Sequence, residues 1–350
     1  MRITEDLTRL RPAELATRED REAYFRPVAA SSGPVVSMEG RRVLMLGSSN
    51  YLGLAQDPRI TDDAHRAIDT YGTATNGSRI LNGTLDLHEQ LERELAEWLG
   101  TEAAIVFSSG YQTNLGTLDA LLEQDDVAVC DAMCHASIFD GVRLARARLY
   151  PFRHARVDRL AAVLAGRREA GDTGRRLVAV DGLFSMEGDV ADLERIVPVC
   201  EEEDADVYVD EAHAIGVLGE RGAGACEAFA VEDRVQIRTG TLSKALASQG
   251  GFVAASADVI DHIRFHARAM LFTASTPPAA VASALASVRF CRTEERAERA
   301  AVLLDNARYL RRGLYELGYD VMPALATEER GEVITPIVRI GVGDSATTLR

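Results

Sequence analysis

Short apolar runs recur through the middle of this chain, and they constrain its fold more than any other feature. They are residues 103–107 (AAIVF), 127–130 (VAVC), 177–181 (LVAVD), 206–210 (DVYVD), 235–238 (VQIR) and 251–255 (GFVAA). Helix-length segments separate most of them. Runs that are apolar on both faces, alternating with helices, specify an α/β fold with a mostly parallel sheet covered on both sides. Ligands of such sheets bind beyond the carboxyl ends of the strands. Ser109-Gly110, Asp210 and Lys244 each follow a run directly, so they are expected to converge on one crevice.

The flanking segments set the domain plan. Residues 1–46 read as an N-terminal arm of short polar helices over 1–30, then a hairpin over 34–46 turning at Glu39-Gly40. Residues 47–288 form the large domain. It opens on a glycine-bounded turn (GSSNYLGL), a helix over 64–71 and a loop over 72–84. An amphipathic helix over 85–99 follows, with Leu87, Leu91, Leu95 and Leu99 four apart and Gly100 at its end. A helix over 112–122 belongs to the same unit, and one over 279–290 follows Pro277-Pro278, where the chain changes character. Residues 289–350 read as the start of a small C-terminal α+β domain, with a charged helix over 294–317 and a strand over 333–342.

Composition excludes several classes. Lys and Arg number 39 against 54 acids, a net charge of −15. That balance disfavours nucleic acid or an anionic membrane as partner. No apolar run approaches the ~20 residues of a membrane span. Cys130, Cys134, Cys200, Cys226 and Cys291 form no CxxC pair, so buried free thiols in a reducing cytoplasm are expected. No metal is expected, because there is no HExxH and only His135 lies near Cys130 and Cys134. GERGAG lacks the spacing of a dinucleotide fingerprint, and GTLSKA lacks that of a nucleotide phosphate loop.

The chemistry centres on Lys244. No charged residue lies within five positions on either side of it. Such an amine is partly desolvated, which lowers its pKa and favours attack on an aldehyde. Lys244 therefore reads as the lysine that carries pyridoxal 5'-phosphate as a Schiff base; a chance lysine in a glycine-rich turn is the alternative. Thr241 and Ser243 present hydroxyls to phosphate oxygens. Asp210, 34 residues earlier, is the carboxylate to hold a pyridine nitrogen protonated, or else a helix cap. His213 is within reach of the ring hydroxyl or substrate carbonyl. Ser109, Gly110 and Tyr111 open a helix whose N-terminus suits a phosphate, although a plain strand–helix turn has the same pattern. His135 is a candidate to stack on the ring, or a structural histidine. Ser185 and Glu187, in FSMEGD, are candidates for the ring hydroxyl and the amino-acid side.

NYLGL, HASIFDG, FSMEGD, VDEAH and TLSK occur in this order, and with FTASTPP they carry a resemblance over well more than half the chain. The sequence resembles the α-oxoamine synthases, fold-type I pyridoxal phosphate enzymes that condense an amino acid with an acyl thioester. GSRILNGT and FTASTPP look most like the bacterial members that make sphingoid bases from serine. The resemblance implies Lys244 as Schiff-base lysine and α-proton base, Asp210 at the pyridine nitrogen, His135 on the ring and His213 at the ring hydroxyl and acyl oxygen. It implies Ser109, Gly110, Tyr111, Thr241 and Ser243 around the phosphate, with Thr273 or Ser275 reaching it from the partner of a homodimer. Asn50 would meet the substrate carboxylate. The family's C-terminal domain continues past the point matching Arg350 and carries an arginine for that carboxylate. Ala247-Ser248-Gln249 replaces a stretch that usually contains glycine. Transamination on the same fold, or a non-catalytic partner subunit, are the competing readings.

Overall fold

The computed structural model describes residues 24–322, 333–343 and 345–348. β1 (Val28–Ser32), β2 (Val35–Met38) and β3 (Arg41–Leu44) form a small antiparallel sheet. The turn between β2 and β3 places Glu39 and Gly40 at φ 50° and 73°, where the expected hairpin reverses. The expected arm over residues 1–23 lies outside the described residues, and 28–32 is strand rather than helix.

The apolar runs build one seven-stranded sheet. Its strands are β4 (Ala103–Phe107), β5 (Val127–Asp131), β6 (Arg148–Phe152), β7 (Arg176–Asp181), β8 (Asp206–Asp210), β9 (Ile237–Thr241) and β10 (Gly251–Ala255). The spatial order is β4-β10-β9-β8-β7-β5-β6. β10 is the reversed strand of this sheet, pairing antiparallel with both β4 and β9. Its connection to β9 explains why: residues 242–250 are too few for the crossover of ~12 residues that a parallel return needs.

Both faces are buried. In β4, Ile105 and Phe107 join one core while Ala104 and Val106 join the other. The first core takes Leu118, Ile138, Leu160 and Val197 from four helices. The second takes Leu91, Leu95 and Leu99 of Asp86–Leu99, and Val281 and Leu285 of Pro278–Cys291. All five cysteines are free and buried. Among the described residues, no helix is long and apolar enough to cross a membrane.

Four elements differ from the sequence reading. β6 was not anticipated; it carries Pro151, which removes a backbone donor and suits an edge strand that pairs only with β5. The helix expected over 64–71 begins at Pro58, capped by the Asp57 side chain. β9 runs two residues later and on through the buried Thr239-Gly240-Thr241, which lack the apolar signature. Of 333–342, only Arg339–Gly341 is strand, β12, paired with β11 (Asp320–Met322).

Two contacts tie this frame to the carboxyl edge of the sheet. A Cβ on Gly251 would lie 2.4 Å from Thr113 Oγ1 and 2.8 Å from Gly110 Cα. The first turn of Gly110–Leu121 therefore packs on bare backbone. At the other end of the sheet, His154 bridges Asp131 (Nδ1–Oδ1, 2.9 Å) and Asp189 (Nε2–Oδ2, 3.1 Å), with its ring edge-on to Phe184. This clamps the 184–189 turn to β5. Burial, the largest single influence, lowers the pKa of His154, but the two carboxylates together outweigh it and raise the pKa to about 10.

Gly251→Ala is expected to displace the Gly110 turn and lower the midpoint of thermal unfolding; an unchanged midpoint would show that the helix gives way freely. For His154, the folded pKa lies above the unfolded value of ~6.5, so its stabilisation is complete below pH ~6.5 and is lost as pH rises toward about 10. The stability gap between wild type and His154→Gln, measured by urea unfolding, should narrow across that window. A constant gap would mean that His154 acts by packing alone.

Candidate active site

The carboxyl ends of β4, β5, β7, β8 and β9 surround a cavity of about 400 Å³. The turn after β4 contributes Ser109, Gly110 and Tyr111, and the segment after β5 contributes His135. β7 and β8 contribute Asp181 and Asp210, with His213 just beyond. β9 and its turn contribute Thr241, Ser243 and Lys244. The convergence expected from strand-end positions is therefore present.

Burial sets the electrostatics. Desolvation lowers the Lys244 pKa, and the charges of Asp210 and Asp181 partly restore it. Burial pushes the Asp181 carboxyl well up, and the facing Asp210 adds to the effect. The two acids sit opposite each other in register on β7 and β8. Both Asp210 oxygens are engaged: Asn114 Nδ2 donates to Oδ2 at 2.7 Å and the Ala212 N–H to Oδ1 at 2.9 Å. Burial, aided by Lys244 and His135, lowers His213 to about 3. Its Nδ1 lies 2.7 Å from the Tyr51 hydroxyl. The His135 backbone N–H donates to Asp181, and its Nδ1 lies 2.7 Å from Ser137 Oγ.

One side of the cavity is built for an anion. Ser109 caps the helix Gly110–Leu121, accepting from the Gln112 N–H at 3.2 Å. The first-turn N–H groups have no acceptor within the helix. Thr241 and Ser243 hydroxyls sit 2.8 Å apart beside them, and a Cβ on Gly110 would stand 3.0 Å from Thr241 Oγ1. Any side chain there would crowd the cradle. Tyr111 stands edge-on to the His135 ring, its hydroxyl 2.5 Å from Asp140.

Five expected residues lie outside the cavity lining. Ser185 and Glu187 occupy the clamped 184–189 turn, with Glu187 buried; Leu183 lines the cavity instead. Asn50 accepts from the Ala55 N–H at 3.3 Å and lines a second cavity of about 720 Å³ with Arg299 and Glu295. Tyr51 borders that cavity too, so its ring stands between the two spaces. Ser275 is buried against its own chain, its hydroxyl 2.7 Å from Thr75 and its N–H on the Gly77 carbonyl. Thr273 is half-buried two residues earlier.

Sequence reasoning missed Asn114, Tyr51, Asp181 and Ser137. Asn114 had a visible signal: with Thr113 and Thr117 it puts polar side chains on a helix between two apolar strands, and buried polar groups require partners. Asp181 had one as well, since LVAVD ends as DVYVD does. Ser137 and Tyr51 sit inside motifs already quoted but carry no distinguishing pattern.

The residues present fit pyridoxal phosphate. A partly desolvated amine, an anchored carboxylate, an imidazole and a helix start with open N–H groups beside the Ser109, Thr241 and Ser243 hydroxyls share one cavity of suitable size. The match to known proteins agrees. Residues 41–327 match the model of aminotransferase class I and II. A serine palmitoyltransferase of Sphingobacterium spiritivorum is 44% identical over 299 residues, 85% of this chain and 74% of that protein. An 8-amino-7-oxononanoate synthase of Bacillus pumilus is 40% identical over 339 residues, 96% of this chain and 83% of that one. A solved Sphingomonas wittichii serine palmitoyltransferase superposes with a TM-score of 0.82 at 39% identity, covering 86% of this chain and 74% of that one. A high-resolution structure of SPT with PLP as the internal aldimine gives a TM-score of 0.82 at 36% identity, covering 85% and 74%. The chain belongs to the aminotransferase class I and II family and, within it, to the pyridoxal phosphate-dependent α-oxoamine synthases.

Proposed function

We propose that this chain condenses a small amino acid with an acyl thioester to give an α-amino ketone. A bond forms between the α-carbon and the thioester carbonyl, the C–S bond breaks to release a thiol, and the α-carboxylate leaves as carbon dioxide. The observation that carries this reading is the meeting of Lys244, Asp210, His135 and His213 with a helix N-terminus around one cavity. When bound, pyridoxal phosphate supplies a sink for the electrons released at the α-carbon.

The chain's own groups do the rest. Lys244 would hold the cofactor aldehyde; its Nζ, with a lowered pKa, then takes the α-proton and returns it. Asp210, fixed at both oxygens, would hold positive charge on the pyridine nitrogen. The Gly110 and Tyr111 N–H groups and the Ser109, Thr241 and Ser243 hydroxyls would hold the phosphate. His135 would cover the ring. Burial holds the His213 pKa far below neutrality, at about 3. His213 therefore works as a neutral hydrogen-bond partner to the ring hydroxyl or acyl oxygen, and not as a store of a proton. Asn50 and Glu187 are the candidates for the amino-acid side.

A homodimer completes the reading. Thr273, rather than Ser275, is the residue free to reach a partner's phosphate, because Ser275 spends its hydroxyl on Thr75. The exposed Ile80, Leu81 and Phe272 near this segment suit a subunit contact. The resemblance to serine palmitoyltransferase supports serine and a long acyl thioester as the first substrates to test.

Thiol release from acyl-CoA, dependent on pyridoxal phosphate and an amino acid, is the expected result. Amino-acid-dependent keto acid formation without thiol release would establish transamination instead, and no cofactor binding would establish a non-catalytic subunit. Lys244→Ala should abolish borohydride-fixed cofactor and lower the rate by at least ~10²–10⁴-fold. Retention of covalent cofactor in that variant would overturn the assignment.

A further inference from the structure

Asn114 uses all four hydrogen-bonding positions of its side-chain amide. Nδ2 donates to Asp210 Oδ2 at 2.7 Å and to Ser137 Oγ at 2.9 Å. Oδ1 accepts from the Tyr208 hydroxyl at 2.6 Å and from Thr239 Oγ1 at 3.0 Å. The partners dictate which way the amide faces. Reversing it would set its oxygen 2.7 Å from a carboxylate oxygen, both acceptors, and would present N–H groups to two hydroxyls. Asn114 is only 3% exposed and Ser137 is fully buried, so water does not compete for these bonds.

The direction of each bond then follows in turn. Ser137 Oγ accepts a proton from Asn114, and its own hydroxyl proton is free for His135 Nδ1 at 2.7 Å. The Ser137 backbone N–H also donates to Nδ1, at 3.4 Å, as the side-chain capping bond of the helix Ala136–Leu144. Nδ1 is thus met by two donors and must accept. A neutral imidazole that accepts at Nδ1 carries its proton on Nε2.

We propose that Asn114 is a positioning residue: by holding Asp210 and, through Ser137, orienting the bond to His135, it sets the tautomer of the stacking histidine from the same amide that fixes the pyridine-facing carboxylate. The use of this arrangement by a cofactor rests on the proposed function; the tautomer itself does not. The two faces of the cofactor pocket, built on β5 and β8, are then linked by hydrogen bonds through the middle of one helix.

Nitrogen-15 NMR of histidine-labelled, cofactor-free protein, above the ordinary histidine pKa of ~6.5, reads the tautomer directly. His135→Gln identifies the signal. Wild type should show the Nε2–H form. Ser137→Ala removes one donor to Nδ1 and should cost roughly tenfold of that preference, the worth of one ordinary hydrogen bond. Ser137→Thr keeps the hydroxyl and should restore it. In Asn114→Asp the new carboxylate captures the Ser137 hydroxyl proton, so the Nε2–H preference should fall as in Ser137→Ala. The serine pair decides the Ser137–His135 bond by itself, and an unchanged Nε2–H preference in a folded Asn114→Asp overturns the part assigned to Asn114. An Nδ1–H signal in wild type, or an unchanged Nε2–H signal in Ser137→Ala, overturns the proposal. Pyridoxal phosphate titration followed by absorbance tests the hold on Asp210: Asn114→Ala should weaken binding roughly tenfold, again one hydrogen bond's worth. Wild-type affinity in that variant overturns this half. Failure of wild type to bind the cofactor would instead remove the proposed function and leave the tautomer result standing.

Discussion

An amine and two carboxylates share one buried cavity, and the architecture around them answers the cost of placing them there. Removing an ion from water costs several kcal/mol even after relaxation. Asp210 recovers this through Asn114 and the Ala212 N–H, and Lys244 in part through the charges of the two acids, whereas the single bond from the His135 N–H leaves the Asp181 pKa pushed well up. The compensating groups come from the strand ends of β7, β8 and β9, the segment after β5 and the helix Gly110–Leu121. Those groups can meet only if the strands run the same way, so the parallel sheet and the charged cavity are one solution to one problem. The Lys244 pKa then falls because its compensation is partial, and the same incompleteness makes the amine reactive.

The sheet and the main site residues were legible because they depend on local pattern. Runs such as VAVC and DVYVD have no other way to be buried than in a two-sided sheet, and strand-end residues converge by topology. Lys244 stood out by the neutrality of its surroundings. The rest was hidden where tertiary context overrides local signal. β6 carries a proline that argues against a strand anywhere but at an edge, and the edge is not visible from sequence. Thr239-Gly240-Thr241 are strand because the β8 and β10 backbones flank them, not because of their own side chains. Asn114 depends on four partners far away in sequence, so its role is a property of the fold.

Ser185, Glu187, Asn50 and Ser275 illustrate a different limit. Their motifs place them near the cavity, but proximity in sequence does not give direction. The 184–189 turn is oriented by His154 and its two aspartates, and Thr335 Oγ1 donates to the Gly188 carbonyl at 2.5 Å. Asn50 and Tyr51 both border the second cavity, but only Tyr51 also reaches a residue of the first, through its hydroxyl bond to His213.

The reversed strand β10 has an effect on how the chain can be rewired. It bonds to β4 on one side and β9 on the other, so the turn bearing Gly110 and the turn bearing Lys244 hang from a single ribbon of backbone. New termini opened between 241 and 251 would sever the Lys244-bearing turn from that ribbon and let the two halves of the anion cradle drift. A cut in the 170–175 connection, at the far edge from the cavity, would leave the cradle whole. Split versions of this chain therefore have a preferred seam, and it lies on the amino side of the sheet.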